Sequence, residues 1–320
     1  MRTARTICAA AAVMAVGLPF IDAARAAAPM VKTPSPGYYR MMLGDFEITA
    51  LSDGSLRLKV GEVLTHANPA RVGKSLARAF LTEPVETSDN AYLINTGAQL
   101  VLVDTGTGST FGPDLGKLAA NLQASGYTPD QVDEIYITHM HGDHVGGLLA
   151  GARLAFPNAT VRADRREADY WLSKEKMDAA PQEARAGFER AMAALGPYVE
   201  AGRFKPFDGD TELVPGVRAL PSHGHTPGHT TYVVQSKGEK LVLWGDLVHV
   251  AAVQFGEPSV TIKYDTDPTA AVAERRKAFA AAARDGCWIG AAHLAFPGLG
   301  HVRAEGKAYA FVPANYAQLH

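Results

Sequence analysis

Short apolar runs of four to six residues alternate along this chain with segments whose apolar positions recur every three or four residues. The short runs predict strands over 46–51, 91–95, 100–103, 134–138, 160–163, 231–235, 241–244 and 288–292. Helical spacing places Leu115, Leu118, Ala119 and Leu122 on one face of a segment that stops at Gly126. Asp164 and Glu167 have the spacing of a capping box opening a helix that carries Trp171 and Leu172. Asp267-Pro268 reads as an N-cap followed by proline at the first helical position, and the alanine-rich helix after it ends at Gly286. Strands and helices in mixed order predict an α/β fold built in layers.

Two stretches echo one another. Tyr92-Leu-Ile, Gly97 and Leu100-Val-Leu-Val-Asp104 resemble Tyr232-Val-Val, Gly238 and Leu241-Val-Leu-Trp-Gly-Asp246. Each reads as a strand, a turn and a second strand ending in aspartate, which would set Asp104 and Asp246 at corresponding strand ends.

The N-terminus is different in kind. Arg2 and Arg5 precede an apolar run, 7–20, and the small-residue pattern Ala24-Arg25-Ala26. This is the layout of a secretory signal peptide over 1–26, and the run is short of the roughly 20 residues a membrane span needs. A proline-containing extended leader is expected over 27–37 and one catalytic domain over 38–320, in a periplasmic or secreted protein without a stable membrane anchor. The 320 residues are 47% hydrophobic and 20% charged, with a net charge of −2, which gives ample core and no basic field for nucleic acid. Removal of 1–26 leaves Cys287 alone, so packing and bound metal, not a disulfide, must stabilise the domain.

The chemistry concentrates in Thr138-His139-Met140-His141-Gly142-Asp143-His144, directly after a predicted strand. Alternating His139 and His141 can aim two imidazoles the same way from extended backbone, while Asp143 and His144 diverge toward a neighbouring position as the chain turns. Nitrogen and carboxylate donors of this kind suit zinc, and also iron, manganese or cobalt. Downstream, Gly224-His225-Thr226-Pro227-Gly228-His229 offers two histidines, either of which fits a bare motif.

The H-x-H-x-D-H segment resembles the signature of the metallo-β-lactamase superfamily, and the glycine-histidine segment, Gly245-Asp246 and His293 follow in that family's order. The resemblance implies an αββα sandwich of two mixed sheets flanked by helices. It implies that His139, His141 and His225 hold one metal, that Asp143, His144 and His293 hold a second, and that Asp246 bridges them. His229 then becomes a supporting residue, and Asp104 a carboxylate orienting a ligand imidazole. Asp143 and Asp246 are the expected catalytic carboxylates. Two Zn2+ ions in such a site share a water and acidify it, and the bridging hydroxide attacks a carbonyl or phosphoryl centre.

β-Lactamases of that superfamily use a cysteine ligand and lack the bridging aspartate, whereas this chain has Asp246 and no cysteine at a ligand position. Longer runs, including Leu43-Gly44-Asp45-Phe46-Glu47-Ile48-Thr49 and Phe296-Pro297-Gly298, resemble secreted bacterial methyl parathion hydrolases. That resemblance implies a dinuclear-zinc homodimer acting on aryl phosphotriesters. The chain departs from the phosphotriesterase pattern at Leu64, His249, Ile262 and Tyr264, positions expected to line or back the leaving-group pocket. By the same analogy Phe111, Trp171 and Phe188 are candidates for an aromatic wall. These departures favour a lactone or aryl-ester hydrolase with secondary organophosphate triester activity over a dedicated phosphotriesterase. A periplasmic metal-binding protein without catalytic activity is the alternative outside enzymology, and the complete bridging ligand set argues against it.

Overall fold

Two sheets pack face to face and bury the apolar inner faces of their central strands against each other. The computed structural model describes residues 28–317 and 319. The predicted signal peptide therefore lies outside the described residues, and 28–37 has neither helix nor strand. Pro36–His320 forms one compact unit. No helix among the described residues is long and apolar enough to cross a membrane.

The first sheet runs in the order Tyr38–Leu43, Phe46–Leu58, Val85–Asn95, Leu100–Val103, Glu134–Tyr136 and Thr160–Arg162. Its first four strands are antiparallel and the last two join in parallel. The second runs Thr211–Val214, Val217–Pro221, Thr230–Ser236, Glu239–Leu243, Trp288–Gly290, Leu299–Glu305 and Ala308–Pro313, with a parallel pair only between Glu239–Leu243 and Trp288–Gly290. The two related segments are thus both antiparallel hairpins followed by a parallel strand, Tyr92 facing Val103 and Tyr232 facing Leu243.

Strand alternation sorts the core. Ile48, Tyr92, Ile94, Val101 and Val103 meet Val217, Tyr232, Val234, Leu241 and Leu243 between the sheets. Leu93, Leu100 and Leu102 face outward under Leu118, Leu122, Phe188 and Leu195 of the covering helices. Trp244 and Ile289 face Phe279 of the helix Pro268–Asp285 on the other side. The result is the expected αββα sandwich. That last helix has the expected ends: Asp267 accepts from the Ala270 amide and Gly286 closes it in the left-handed conformation.

The Asp164–Glu167 capping box is corrected. Asp164 does cap Arg165–Trp171 by accepting from the Arg166 amide, but Glu167 points into the protein and bonds elsewhere. The helix Gln182–Glu200 and the strands outside the apolar runs, among them Tyr38–Leu43, were not expected from the periodicity.

Candidate metal centre

Four strands end on one rim, and the chemistry hangs from their carboxyl ends. Asp104 follows Leu100–Val103, the 139–144 segment follows Glu134–Tyr136, Asp246 follows Glu239–Leu243 and His293 follows Trp288–Gly290. The rim is tied across the sheets where the Thr230 amide donates to the Thr138 carbonyl at 2.9 Å. Gly245 turns the chain just before Asp246 with φ of 55°, and a Cβ there would lie 2.8 Å from His229 Nε2. Only glycine meets both demands.

Three imidazoles and one carboxylate converge in the first group. His139 Nε2 lies 2.9 Å from His141 Nδ1, which is 3.2 Å from His225 Nε2. Asp246 Oδ2 stands 3.6 Å from His139 Nε2 and 3.4 Å from His225 Nε2. Four ligands around a tetrahedral zinc at about 2.0–2.1 Å would be separated by about 3.3 Å. In the second group His144 Nε2 lies 3.8 Å from Asp143 Oδ2 and 3.3 Å from Asp246 Oδ1, while His293 Nε2 is 3.6 Å from Asp143 Oδ2. The structure therefore brings together all seven expected ligands, as His139, His141, His225 and Asp246 and as Asp143, His144 and His293. Asp246 reaches the second group through His144 and also converges with His249 and His293.

The far nitrogen of each ring decides which nitrogen faces inward. His144 Nδ1 donates to Asp104 Oδ2 at 2.9 Å, His225 Nδ1 to Asp265 Oδ1 at 2.8 Å and His293 Nδ1 to the Ser88 carbonyl at 3.1 Å. His139 Nδ1 bonds Thr138 Oγ1 at 3.1 Å. Each anchored ring is left with an Nε2 lone pair aimed at the cluster. Asp104 has the orienting role expected of it and also accepts from the Thr138 amide and hydroxyl. It holds a φ of 61°, a conformation aspartate tolerates better than most residues. His144 Nε2 and Asp246 Oδ1 are buried without a hydrogen-bond partner. Orphaned buried groups cost roughly 1–3 kcal/mol each, so a cluster of this donor chemistry fits bound cations.

The electrostatics of the metal-free cluster are those of imidazoles crowded around one carboxylate. Burial would raise Asp246, but His293, His144, His249 and His139 hold it well below the usual carboxylate range. Burial lowers His225 and His293, and their bonds to Asp246 overcome it, pushing each up to about 9. Burial leaves His139 well below the ordinary imidazole value.

His229 is not among the converging donors. Its Nε2 accepts from the Asp246 amide at 3.1 Å and its Nδ1 bonds Ser222 Oγ at 2.8 Å, so it supports the bridge through the backbone. Two supports had no signature in the sequence. Asp265 follows no spacing rule relative to His225. Glu167, fully buried, accepts from the Met140 amide and the Gly228 amide, both at 2.8 Å. Burial pushes its carboxyl up to about 7 against those bonds. Arg275, also buried, donates to the Leu247, Pro258 and Val260 carbonyls and fixes the loop that follows Asp246.

A cavity of about 310 Å3 opens on the cluster through His141, Asp143, Asp246 and His293. Phe111, His249, Ile262 and Tyr264 line it. Trp171 and Phe188 do not, and Leu64 lies behind Ile262 in the backing of the wall. Leu64 pairs with Ile262 but buries its side chain with Val72, Leu76 and Val253. Phe188 is core, packed on Trp171 at 4.8 Å between ring centroids with the planes tilted by 47°. Trp171 abuts His141 from behind Gly187, where a Cβ would meet the indole at 3.0 Å. Leu56, Leu58, Leu115, Thr87, Thr107 and Arg190 add to the wall; of these only Leu115 was singled out by sequence, and that as part of a helix face. Arg190 extends over the Phe111 ring at 5.5 Å. His249 sits at the junction, Nε2 3.1 Å from Asp246 Oδ2, with Nδ1 buried and without a partner among the described residues. Burial, opposed by Asp246, pulls it down to about 4 and keeps the ring neutral.

Comparison with known proteins agrees with this geometry. The structure is similar to that of hydrolase AbOPH in the beta lactamase superfamily, with a TM-score of 0.85 and 39% identity over 89% of this chain and 100% of that one. It is similar to AidC, a dizinc quorum-quenching lactonase in complex with the product N-hexnoyl-L-homoserine, with a TM-score of 0.80 and 26% identity over 88% and 99% of the two chains. The N-acyl homoserine lactonase AiiA of Bacillus thuringiensis subsp. kurstaki is 29% identical over 171 residues, 48% of this chain, which spans 60% of the length of that lactonase. Residues 85–289 match the metallo-beta-lactamase superfamily, a stretch that takes in six of the seven converging side chains, and the chain belongs to that superfamily.

Proposed function

We propose that this chain is an exported dinuclear zinc hydrolase that opens lactones or cleaves aryl esters, with organophosphate triesters as secondary substrates. The observation that carries the proposal is the convergence of seven donors into two groups, with Asp246 reaching both, at the floor of a largely apolar cavity. Two bound cations would supply Lewis acidity and an acidified water.

The chain's own residues do the rest. Asp104, Asp265, Ser88 and Thr138 hold the ligand imidazoles in fixed tautomers, so no reorganisation is needed during reaction. Asp143, with its side chain 22% exposed on the cavity side, is placed to take a proton from the nucleophile at its carboxylate. Leu56, Leu58, Leu115 and Ile262 exclude water from the substrate's apolar part, and Phe111 offers a ring face. His249 lines the cavity beside Asp246 as a neutral imidazole bonded to it through Nε2, and narrows the space for the leaving group there. The named lactonase relatives support this class. Export rests on the pattern of residues 1–26, and a homodimer on the subfamily resemblance.

The test is a substrate panel with the zinc-loaded protein: an acyl-homoserine lactone, simple lactones, aryl esters and methyl paraoxon. The expected order places a lactone or aryl ester first in kcat/KM. Methyl paraoxon turned over faster than every lactone and ester would replace this reading with that of a dedicated phosphotriesterase.

A further inference from the structure

Glu167 is a buried acid that neither ligates nor touches the cavity. It stands in the helix Arg165–Trp171 with no exposed surface. Both its oxygens are used: Oε1 accepts from the Met140 amide and Oε2 from the Gly228 amide. Met140 is the residue between His139 and His141. Gly228 belongs to the loop that carries His225 and His229. The two loops come from different sheets, and a single carboxylate bonds both.

Its chemistry matches that duty. A backbone N–H pair facing one gap needs two acceptors, and among side chains only a carboxylate presents two without a donor. Burying it is costly, because its partners are neutral amides and not a lysine or arginine. An apolar side chain of that size would fill the space more cheaply, and would leave both loops' amides unsatisfied. Gly228 is matched to the contact, since a Cβ there would lie 2.7 Å from Glu167 Cβ. Further along the helix, Trp171 rests against the His141 ring.

We infer that Glu167 is a positioning residue for one of the two metals: its carboxylate clips the His139–His141 loop to the His225 loop and sets the spacing of that trio of donors. The second group hangs on other supports, Asp104 for His144 and the Ser88 carbonyl for His293. The clip therefore bears more directly on the metal of that trio than on the other, which it meets only through the shared Asp246 and the common 139–144 segment. This rests on the dinuclear reading of the site.

Glu167→Gln tests it. The amide keeps the volume and one acceptor, and turns an NH2 group toward the N–H of one loop. Zinc affinity is measured on the full chain by competition with a chromophoric chelator, with His225→Ala and His293→Ala as references for loss at each group. The expected result is a ten- to hundredfold weakening at one of two sites, with a binding curve that follows His225→Ala. Excess zinc should restore kcat with KM unchanged. Gly228→Ala, which breaks the clip from the other loop, should show the same selective loss. Wild-type affinity at both sites in Glu167→Gln, or equal weakening at both, would overturn the inference. Failure of both variants to fold would assign Glu167 to the fold alone and overturn it too. A wild-type chain that takes up no zinc would instead refute the dinuclear reading itself.

Discussion

At the floor of the cleft the outer nitrogens of the ligand imidazoles are held by directional hydrogen bonds, and the wall is built mainly of apolar side chains. His144, His225 and His293 are each held from behind by an acceptor 2.8–3.1 Å away, and Asp246 is held by His229 through its amide. The wall is made of Leu56, Leu58, Leu115, Ile262 and the exposed rings of Phe111 and Tyr264, drawn from separate parts of the chain. The floor is fixed by directional bonds that tolerate little change. The wall is fixed by packing, which tolerates substitution of similar volume. Reaction type should therefore be robust and expensive to alter, and substrate preference cheap to alter.

The largest effect that would break this comparison is at Asp246. Asp246→Ala removes the shared ligand and leaves two groups of like-charged or neutral imidazoles without the carboxylate between them. Paired metal occupancy should be lost and kcat/KM should fall by about a thousandfold or more, on the order of 4 kcal/mol. Elemental analysis together with steady-state kinetics checks both.

Next come the two histidines of one loop. His225→Ala should lose metal from the first group and with it activity. His229→Ala should keep both metals and lose about 1–3 kcal/mol of stability, because the Asp246 amide is left buried without an acceptor. Metal content and thermal unfolding of the two variants separate them, and full metal in His225→Ala would reverse the assignment.

Trp171 and Phe111 sharpen the boundary between floor and wall. Trp171→Ala empties a packed site against Phe188 and His141 and should cost about 3–5 kcal/mol in denaturant unfolding. Phe111, 44% exposed, should leave stability nearly unchanged on replacement by alanine and raise KM instead. The smallest effect is at His249, where the wall meets the floor. His249→Leu replaces a neutral imidazole on the cavity wall with an apolar side chain, and should shift kcat/KM toward methyl paraoxon by about tenfold relative to a lactone, about 1.4 kcal/mol. Equal loss of both activities together with stability would show His249 to be structural.

The same division governs what could be read from the sequence. The 139–144 segment was legible because four donors sit on one turn at a strand end, and Asp246 because Gly245-Asp246 follows it in the order of the superfamily's motifs. Glu167 was misread because Asp164-x-x-Glu167 does match a capping box, while its true partners, Met140 and Gly228, are 27 and 61 residues away. The helix Gln182–Glu200 was missed: Gly187, Gly196 and Pro197 interrupt it, and its buried positions include small alanines. That helix carries Gly187 and Arg190 to the cavity, so the error in the wall followed from the error in the fold. Trp171 and Phe188 were assigned to the pocket as aromatics near the site. Both are near it, and both lie on its far side.

The most direct test is a calorimetric zinc titration of the metal-free protein at pH 7, repeated in buffers of different ionisation heat, with lactone hydrolysis followed at each addition. The account predicts two equivalents per chain and activity that becomes full only as the second is bound. It also predicts proton release. His225 and His293, held up to about 9 in the metal-free cluster, are protonated at pH 7 and must give up those protons to bind. Against burial, Asp246, Asp104 and Asp143 hold His144 well above the ordinary imidazole value, so it adds to the release, and the share from His225 and His293 should fade as pH rises through 9. Full activity with one equivalent, or hydrolysis that persists after complete chelation, would contradict a dinuclear mechanism.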